Sequence, residues 1–284
     1  MLAAGAMQDA PAIDWTKLRH AFGFRVLRAD LGNFFFWQFR EVDGFLISGK
    51  NSGTHWVKFM LSVALAHSAG VAPPTHTSGR AADAVIGHPR WGRQHADLPF
   101  IGSSHSIPSG AFAWRLAPFR PPPVVVLVRD IRDALLSNYV KWRDDYAMSL
   151  SEFARCWPTG RKLVADVWWY IHFFNRWGDV AAAWPGRVLF VRYEEVRADP
   201  GTWLMRMAAH FGVTLGAEDV AAALPYRAHE AVRAKLDPGE TEIVIPEAEL
   251  RRAIRFSDAD LAYLGEVFRR FLRHDLGYSL REAP

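Results

Sequence analysis

The residues from Phe45 to Trp56, FLISGKNSGTHW, have the types and spacing of an anion-binding loop. Their apolar start predicts a buried strand, and Gly49 and Gly53 allow backbone conformations that are closed to other residues. A helix is expected from near Thr54, with the free N–H groups of its first turn directed into the loop. Because the helix dipole favours negative charge there, the segment predicts a phosphate or sulfate site. It lacks the Walker pattern, since no Lys-Ser or Lys-Thr pair follows Gly53.

A second group of residues follows the apolar run 124–128, VVVLV. Arg129 stands directly after this run, and Ser137 lies eight residues later on a predicted helix. Ligands of open α/β sheets bind at the carboxyl ends of the strands, where an arginine can bind a phosphate through two hydrogen bonds. The alternative is a surface helix on which Arg129 pairs with its neighbours Asp130 and Asp133.

A histidine follows a third short strand, which is expected at 100–104. His105 in that position is a candidate general base, because the unperturbed pKa of histidine is about 6.5. The alternative is an ordinary structural side chain, because the chain has 11 histidines.

The elements expected to position these side chains alternate between strands and helices. Such alternation predicts an α/β, three-layer, P-loop-like fold, with a central parallel sheet of about four to five strands flanked by helices. The length and the 50% hydrophobic content fit a single domain over 1–284. We predict strands at 45–47, 100–104, 124–128 and 188–191, and helices near 54–69, from 131, and at 161–183, 193–210 and 258–273.

Two segments have less regular patterns. The N-terminal segment 1–40 is rich in aromatic residues and arginine; its 15–40 part predicts a helix or an edge segment, in which Phe34 to Trp37 either pack on the core or line an acceptor pocket. The polar segment 71–98 is either a substrate or lid loop, or a series of short irregular elements.

Bulk properties exclude several classes of protein. The single cysteine, Cys156, rules out a disulfide framework and a cysteine-based zinc site, and it suggests a reducing, cytoplasmic location. The sequence shows no signal peptide and no apolar run long enough to span a membrane. The formal charge of +4 is compatible with an anionic ligand, but the basic blocks of a nucleic-acid binder are missing. No residues have the spacing of metal ligands.

Taken together, these motifs resemble the sulfotransferase family that uses 3′-phosphoadenosine 5′-phosphosulfate (PAPS). The segment 52–56 is similar to the family's loop for the 5′-phosphosulfate, and 103–108 is similar to the segment that carries its general base. The run from Arg129 to Ser137 resembles the unit that grips the 3′-phosphate, and 193–195 resembles the Tyr-Glu-Asp segment after a late strand. The order and distances agree over roughly 43–280, including the LGYS segment at 276–279.

The resemblance implies transfer of a sulfuryl group from PAPS to a hydroxyl or amine, with in-line attack and with PAP as the product. The implied acceptor is a small molecule, lipid or glycan, and a homodimer is a further expectation. Catalytic roles are implied for His105, Lys50 and His55. Nucleotide contacts are implied for Lys50, Asn51, Ser52, Gly53, Thr54, His55, Trp56, Arg129, Ser137 and Tyr193.

The chain departs from the family pattern in three places. Asn51 stands where the family usually has a basic residue, and Lys50 precedes it by one position, so either the loop shifts or another cation substitutes. His55 replaces a threonine. The family's C-terminal Arg-Lys-Gly segment is not evident, and the candidates to complete the 3′-phosphate site are Arg233, Lys235, Arg251, Arg252 and Arg255.

Two other functions fit parts of the pattern. A P-loop nucleotide or small-molecule kinase shares the strand–loop–helix unit, but it requires the missing Walker residues. A non-catalytic PAP-binding relative is suggested by Asn51 at the lysine position.

Overall fold

Four parallel strands form the centre of the computed structural model. The model describes residues 13–31, 33, 38–39, 41–77, 79–117, 119–158, 163–228 and 254–281. The sheet order is β2-β1-β3-β4, and every neighbouring pair is parallel. The α/β prediction with a central parallel sheet is therefore confirmed. The strands are β1 (Gly44–Ser48), β2 (Ile101–Ser104), β3 (Val124–Val128) and β4 (Val188–Arg192).

The register brings the ends of β1, β2 and β3 to one edge of the sheet. Ile47 pairs with Ser104, and Ser48 pairs with Leu127. All residues of β1 and β3 are buried, as expected for inner strands covered by helices on both faces. The residues that follow these strands therefore meet at the same edge, where α/β sheets bind ligands.

Helices cover both faces of the sheet, which confirms the three layers. Residues of α1, α5, α7 and α11 form the larger apolar cluster on one face, and those of α2, α9 and α10 form the cluster on the other. The helices are α1 (Trp15–Leu31), α2 (Thr54–Ser68), α3 (Gly79–Ile86), α4 (Gly110–Ala113), α5 (Ile131–Tyr146), α6 (Leu150–Ala154), α7 (Val167–Ala183), α8 (Tyr193–Ala198), α9 (Pro200–His210), α10 (Ala217–Ala223) and α11 (Asp258–Phe271), with a 3₁₀ turn at Leu224–Arg227.

The helix predicted over 193–210 is divided in two. Pro200 has no backbone N–H and begins a new helix at its first position. The side chain of Asp199 accepts a hydrogen bond from the backbone N–H of Thr202 at 3.1 Å, which caps that helix. The break leaves α8 as a short helix directly after β4.

The segment 71–98 contains helix α3 and a short bridge between His88 and Gly92. This agrees with the alternative of short elements, and a lid function remains a prediction. The N-terminal segment forms α1, which buries Leu18 and Phe22; Phe34 to Trp37 lie outside the described residues. None of the described helices is both long enough and apolar enough to cross a membrane.

Candidate active site

The loop between β1 and α2 has two residues with positive φ. Asn51 has φ 57° and Gly53 has φ 83°. A Cβ atom on Gly53 would lie 2.7 Å from the ring of Tyr193, so this position requires glycine for its conformation and also for space. The Gly49 N–H donates to the Leu127 carbonyl at 2.8 Å, which ties the start of the loop to β3.

Two hydroxyl side chains lie where this loop enters α2. Ser52 is 1% exposed, and the Thr54 hydroxyl donates to Ser48 Oγ at 2.7 Å. The first intrahelical bond runs from the Val57 N–H to the Gly53 carbonyl at 3.0 Å. The N–H groups of the preceding turn therefore face the loop, which is the arrangement that binds phosphate at a helix N-terminus.

His105 lies immediately beyond β2 and is held by the end of β1. Its Nδ1 is 2.8 Å from the Ser48 carbonyl oxygen and 3.1 Å from Ser48 Oγ. Because a carbonyl oxygen only accepts hydrogen bonds, Nδ1 carries the proton, and Nε2 has the basic lone pair. The ring is exposed, so His105 has the geometry of an oriented base at the strand edge.

Lys50 reaches across to the loop before α7. Its ammonium donates to the Val164 carbonyl and lies 5.4 Å from the ring centre of Trp169. Burial lowers the pKa of Lys50, and the Asp166 carboxylate partly offsets this effect. The structure thus places the ammonium in a contact with α7's entry loop, and the backbone carbonyl of Lys50 accepts from the Tyr170 hydroxyl at 2.8 Å.

Arg129 and Ser137 come together beside the loop between β1 and α2. Arg129 is 5% exposed, and its Nη1 lies 3.1 Å from the Asn51 carbonyl and 3.4 Å from Ser137 Oγ. The guanidinium also lies 4.8 Å from the ring centre of Tyr193. Its contact with the Asp133 carboxylate is longer, at 3.7 Å. The buried guanidinium of Arg129 therefore adjoins the loop that is predicted to bind the 5′-phosphosulfate.

The two aromatic residues predicted to contact the nucleotide, Trp56 and Tyr193, pack beneath the loop between β1 and α2. Trp56 is 6% exposed and Tyr193 is 3% exposed, with ring centres 5.7 Å apart. The Trp56 indole N–H donates to the Tyr226 carbonyl at 2.9 Å. Both rings thus pack in the core, and contact with an adenine stays a prediction. His55, in the first turn of α2, is exposed.

One of the candidates for completing the 3′-phosphate site lies among the described residues. Arg255 lines a groove with Asp130, Arg132 and Tyr278 at the start of α5. The Tyr278 hydroxyl, from the LGYS segment, donates to the Glu194 carboxylate at 2.6 Å. The remaining candidates, Arg233, Lys235, Arg251 and Arg252, lie outside the described residues.

Four contacts at this edge involve three residues to which the sequence analysis assigned no role in the site. Ser48 joins His105 to Thr54, and Tyr170 and Trp169 of α7 contact Lys50. The position of Ser48 at the end of β1 was available as a signal. The contacts of α7 had no local signal, because about 120 residues of chain separate the partners. In the described part of the chain, no cluster of His, Cys, Asp or Glu is suited to hold a metal.

The parallel sheet, the loop before α2 and the buried Arg129 guanidinium at its carboxyl edge have the arrangement in which α/β proteins bind ligands. Residues 119–238 match the sequence model of the sulfotransferase domain, which includes Arg129, Ser137 and Tyr193. A cytosolic sulfotransferase 13 from Arabidopsis thaliana is 25% identical over 202 residues, 64% of this chain and 58% of that protein. Part of the chain is thus similar in sequence to sulfotransferases.

Two solved structures share the fold with this chain. One is the mouse sulfotransferase SULT7A1 complexed with PAP, with a TM-score of 0.55 and 15% identity, covering 92% of this chain and 94% of that chain. The other is a retinol dehydratase in a complex with retinol and PAP, with a TM-score of 0.53 and 16% identity, covering 83% and 82%. The match to the Arabidopsis sulfotransferase spans 58% of that protein, which is less than two thirds of its length.

Proposed function

We propose that the protein transfers a sulfuryl group from PAPS to a hydroxyl or amine of an acceptor. The observation that carries this proposal is the meeting of Arg129 with Asn51 and Ser137 at the loop edge. Cationic and hydroxyl groups for one phosphate thereby adjoin helix N–H groups for another, as a nucleotide phosphorylated at both ends requires. Both structural neighbours are complexes with PAP, which supports this nucleotide.

The chain's own groups fit the two ends of that nucleotide. The backbone N–H groups at the start of α2, with the Ser52 and Thr54 hydroxyls, bind the 5′ end. Arg129 and Ser137 bind the 3′-phosphate through charge-assisted and neutral hydrogen bonds, and Arg255 completes that side. PAPS supplies the sulfuryl group.

His105 acts as the general base. Its Nδ1–H is fixed on the Ser48 carbonyl at 2.8 Å, so Nε2 accepts the proton that the acceptor loses as its oxygen or nitrogen attacks sulfur. The bond from sulfur to the 5′-phosphate oxygen breaks as the new bond forms. Sulfuryl transfer, like phosphoryl transfer, depends on alignment and charge stabilisation more than on covalent catalysis.

The charge that develops on the leaving phosphate needs a cation. Lys50 and His55 are the nearest candidates in the sequence, because Asn51 occupies the usual position of the basic residue. Lys50 would have to leave the Val164 carbonyl to act. This exchange would couple nucleotide binding to the loop before α7.

The acceptor is a small molecule, and lipids and glycans fall within this class. A cytoplasmic location and a homodimer complete the proposal. The single cysteine fits a reducing compartment.

The experiment that tests the proposal compares thermal stabilisation by PAP, ADP and AMP, and then follows labelled sulfate from PAPS into a panel of alcohols, phenols, sugars and amines. Stabilisation by PAP above the other nucleotides, with a labelled product, supports it. Stabilisation by PAP with no product would favour the non-catalytic relative. Magnesium-dependent stabilisation by ATP in place of PAP would favour a kinase.

A further inference from the structure

A second cavity lies between α1, α4 and α7, outside the nucleotide edge. Its volume is about 570 Å³, which is within the usual range for small-molecule sites. Phe22 and Val26 of α1, Ala113 of α4 and Ala183 of α7 form apolar walls. Trp114 lines it as well and is 68% exposed, so the cavity opens to solvent beside this ring.

This cavity uses a different face of α7 from the candidate active site. The Tyr170 hydroxyl contacts Lys50 of the nucleotide loop, and the Trp177 indole N–H donates to the Ser106 carbonyl just after His105, at 3.2 Å. Trp177 lies five residues beyond His172, about 140° further round the helix. The cavity is therefore a separate site.

His172 lines the cavity and has a buried ring nitrogen. The residue is 6% exposed, and its Nε2 has no hydrogen-bond partner among the described residues. Buried polar atoms in folded proteins almost always have a partner, so this atom indicates a group that the described residues do not supply.

The other polar side chains around the cavity already have partners. The guanidinium of Arg176 makes two hydrogen bonds with the Asp30 carboxylate, at 2.9 and 2.8 Å. The Asn175 amide donates to the Phe271 carbonyl at 2.8 Å and accepts from the Arg273 N–H at 2.6 Å. The Asp179 carboxylate is bound by the Arg273 and His274 side chains. The charged side chains among these cavity residues are thus paired with one another or with neighbouring described residues.

We propose that this cavity binds a neutral, mainly apolar alcohol or phenol whose hydroxyl forms a hydrogen bond with His172 Nε2. A hydroxyl both donates and accepts, so it can pair with Nε2 in either tautomer of the neutral ring. The apolar walls take the body of the ligand. Burial and the neighbouring Arg176 lower the pKa of His172 to about 4, so the ring is neutral at physiological pH.

The test uses 4-propylphenol as the probe and propylbenzene as its matched partner without the hydroxyl. The protein is labelled with ¹³C at histidine Cε1, and the His172 signal is assigned as the one lost in His172→Leu. Titration with 4-propylphenol should shift that signal to saturation. Because a net hydrogen bond changes binding by about two- to tenfold, propylbenzene should bind more weakly by that factor.

Two variants distinguish the contribution of the hydrogen bond to binding from the contribution of the apolar space. His172→Leu should bind both compounds equally, since the hydroxyl loses its partner. Val26→Phe should bind neither compound there, because the new ring fills the space. His210→Gln is the matched control, because His210 is a half-buried histidine outside this cavity, and it should bind like the wild type.

An unshifted His172 signal at saturating 4-propylphenol would overturn the proposal and would mean that the cavity holds only water. Equal binding of both compounds by the wild type, or undiminished binding by Val26→Phe, would also overturn it. None of these results depends on sulfate transfer, so they stand apart from the test of the proposed function.

Discussion

The segments that follow β3 and β1 meet at the carboxyl edge of the sheet, and each holds a cationic side chain in a different way. After β3, Arg129 is buried, and its guanidinium already lies beside Ser137 and Asn51. After β1, the ammonium of Lys50 is bound by the Val164 carbonyl, on the entry to α7. In the proposed function, the site for the 3′-phosphate is therefore preformed, whereas Lys50 on the 5′ side has to leave the Val164 carbonyl before it can act. Nucleotide recognition and transfer rate should consequently depend on different residues.

Replacing His105 should give the largest change in turnover with the least change in PAP affinity. We expect His105→Ala to lower turnover by roughly 10²- to 10⁴-fold, which is the usual contribution of a general base. PAP affinity should barely change, because His105 contacts Ser48 and lies outside the expected phosphate contacts. Steady-state kinetics and PAP titration measure the two quantities. His67→Ala, at the far end of α2, is the control, and turnover that is unchanged in His105→Ala would remove His105 from the role.

Removing Arg129 should have the converse effect. Hydrogen bonds to charged groups contribute about 1.5–3 kcal/mol, so Arg129→Ala should weaken PAP binding by roughly ten- to a hundredfold while 5′-AMP binding stays nearly constant. Calorimetric titration of both nucleotides measures this difference. The control is Arg143→Ala, in the last turn of α5, the helix that follows Arg129. Equal losses of affinity for PAP and 5′-AMP would mean that the Arg129 guanidinium does not bind the 3′-phosphate.

Lys50 tests the rearrangement on the 5′ side. We expect Lys50→Met to lower turnover by about ten- to a hundredfold, less than a preorganised donor contributes, because Lys50 first leaves Val164. Burial lowers the pKa of Lys50, and only the protonated form supplies charge. Wild-type turnover should therefore fall as pH rises through that lowered pKa, below the ordinary value of 10.5. Lys50→Arg should retain turnover to higher pH; identical alkaline profiles would argue against Lys50.

The last comparison concerns stability in place of binding or turnover, and it measures the cost of a side chain at Gly53. Gly53→Ala combines a left-handed conformation with a clash against the Tyr193 ring, whereas Gly70→Ala has positive φ but open space around it. The strain alone costs about 1 kcal/mol, so Gly70→Ala should lose about that much unfolding free energy. Gly53→Ala should lose about 1–2 kcal/mol more. Denaturant unfolding measures both, and equal losses would show that the loop yields to the new methyl group.

Local patterns predicted most of the scaffold around this edge. The β-branched run at Val124–Val128 is long enough to specify an inner strand, and it appears with the predicted bounds. The loop glycine and the strand-end positions of His105 and Arg129 were also visible, because motifs of this kind are continuous in the sequence. The break before Pro200 was missed, although its signal is local as well.

Long-range contacts could not be predicted in the same way. Lys50 meets the Val164 carbonyl across 114 residues, and that contact depends on how α7 packs against the sheet. The cavity around His172 arises from three helices that are distant in the sequence. Its open Nε2 becomes visible only once the neighbouring polar groups are seen to be satisfied.

The central claim is that one pocket binds both phosphates of a doubly phosphorylated adenosine. Calorimetric titration of the wild type with PAP, 5′-AMP and 3′-AMP, followed by competition among them, tests it most directly. We expect PAP to bind at least tenfold more tightly than either monophosphate, as a second charge-assisted contact of about 1.5–3 kcal/mol requires, and each monophosphate to be displaced by PAP. Equal affinities for PAP and 5′-AMP, or simultaneous binding of PAP and 3′-AMP, would contradict the claim.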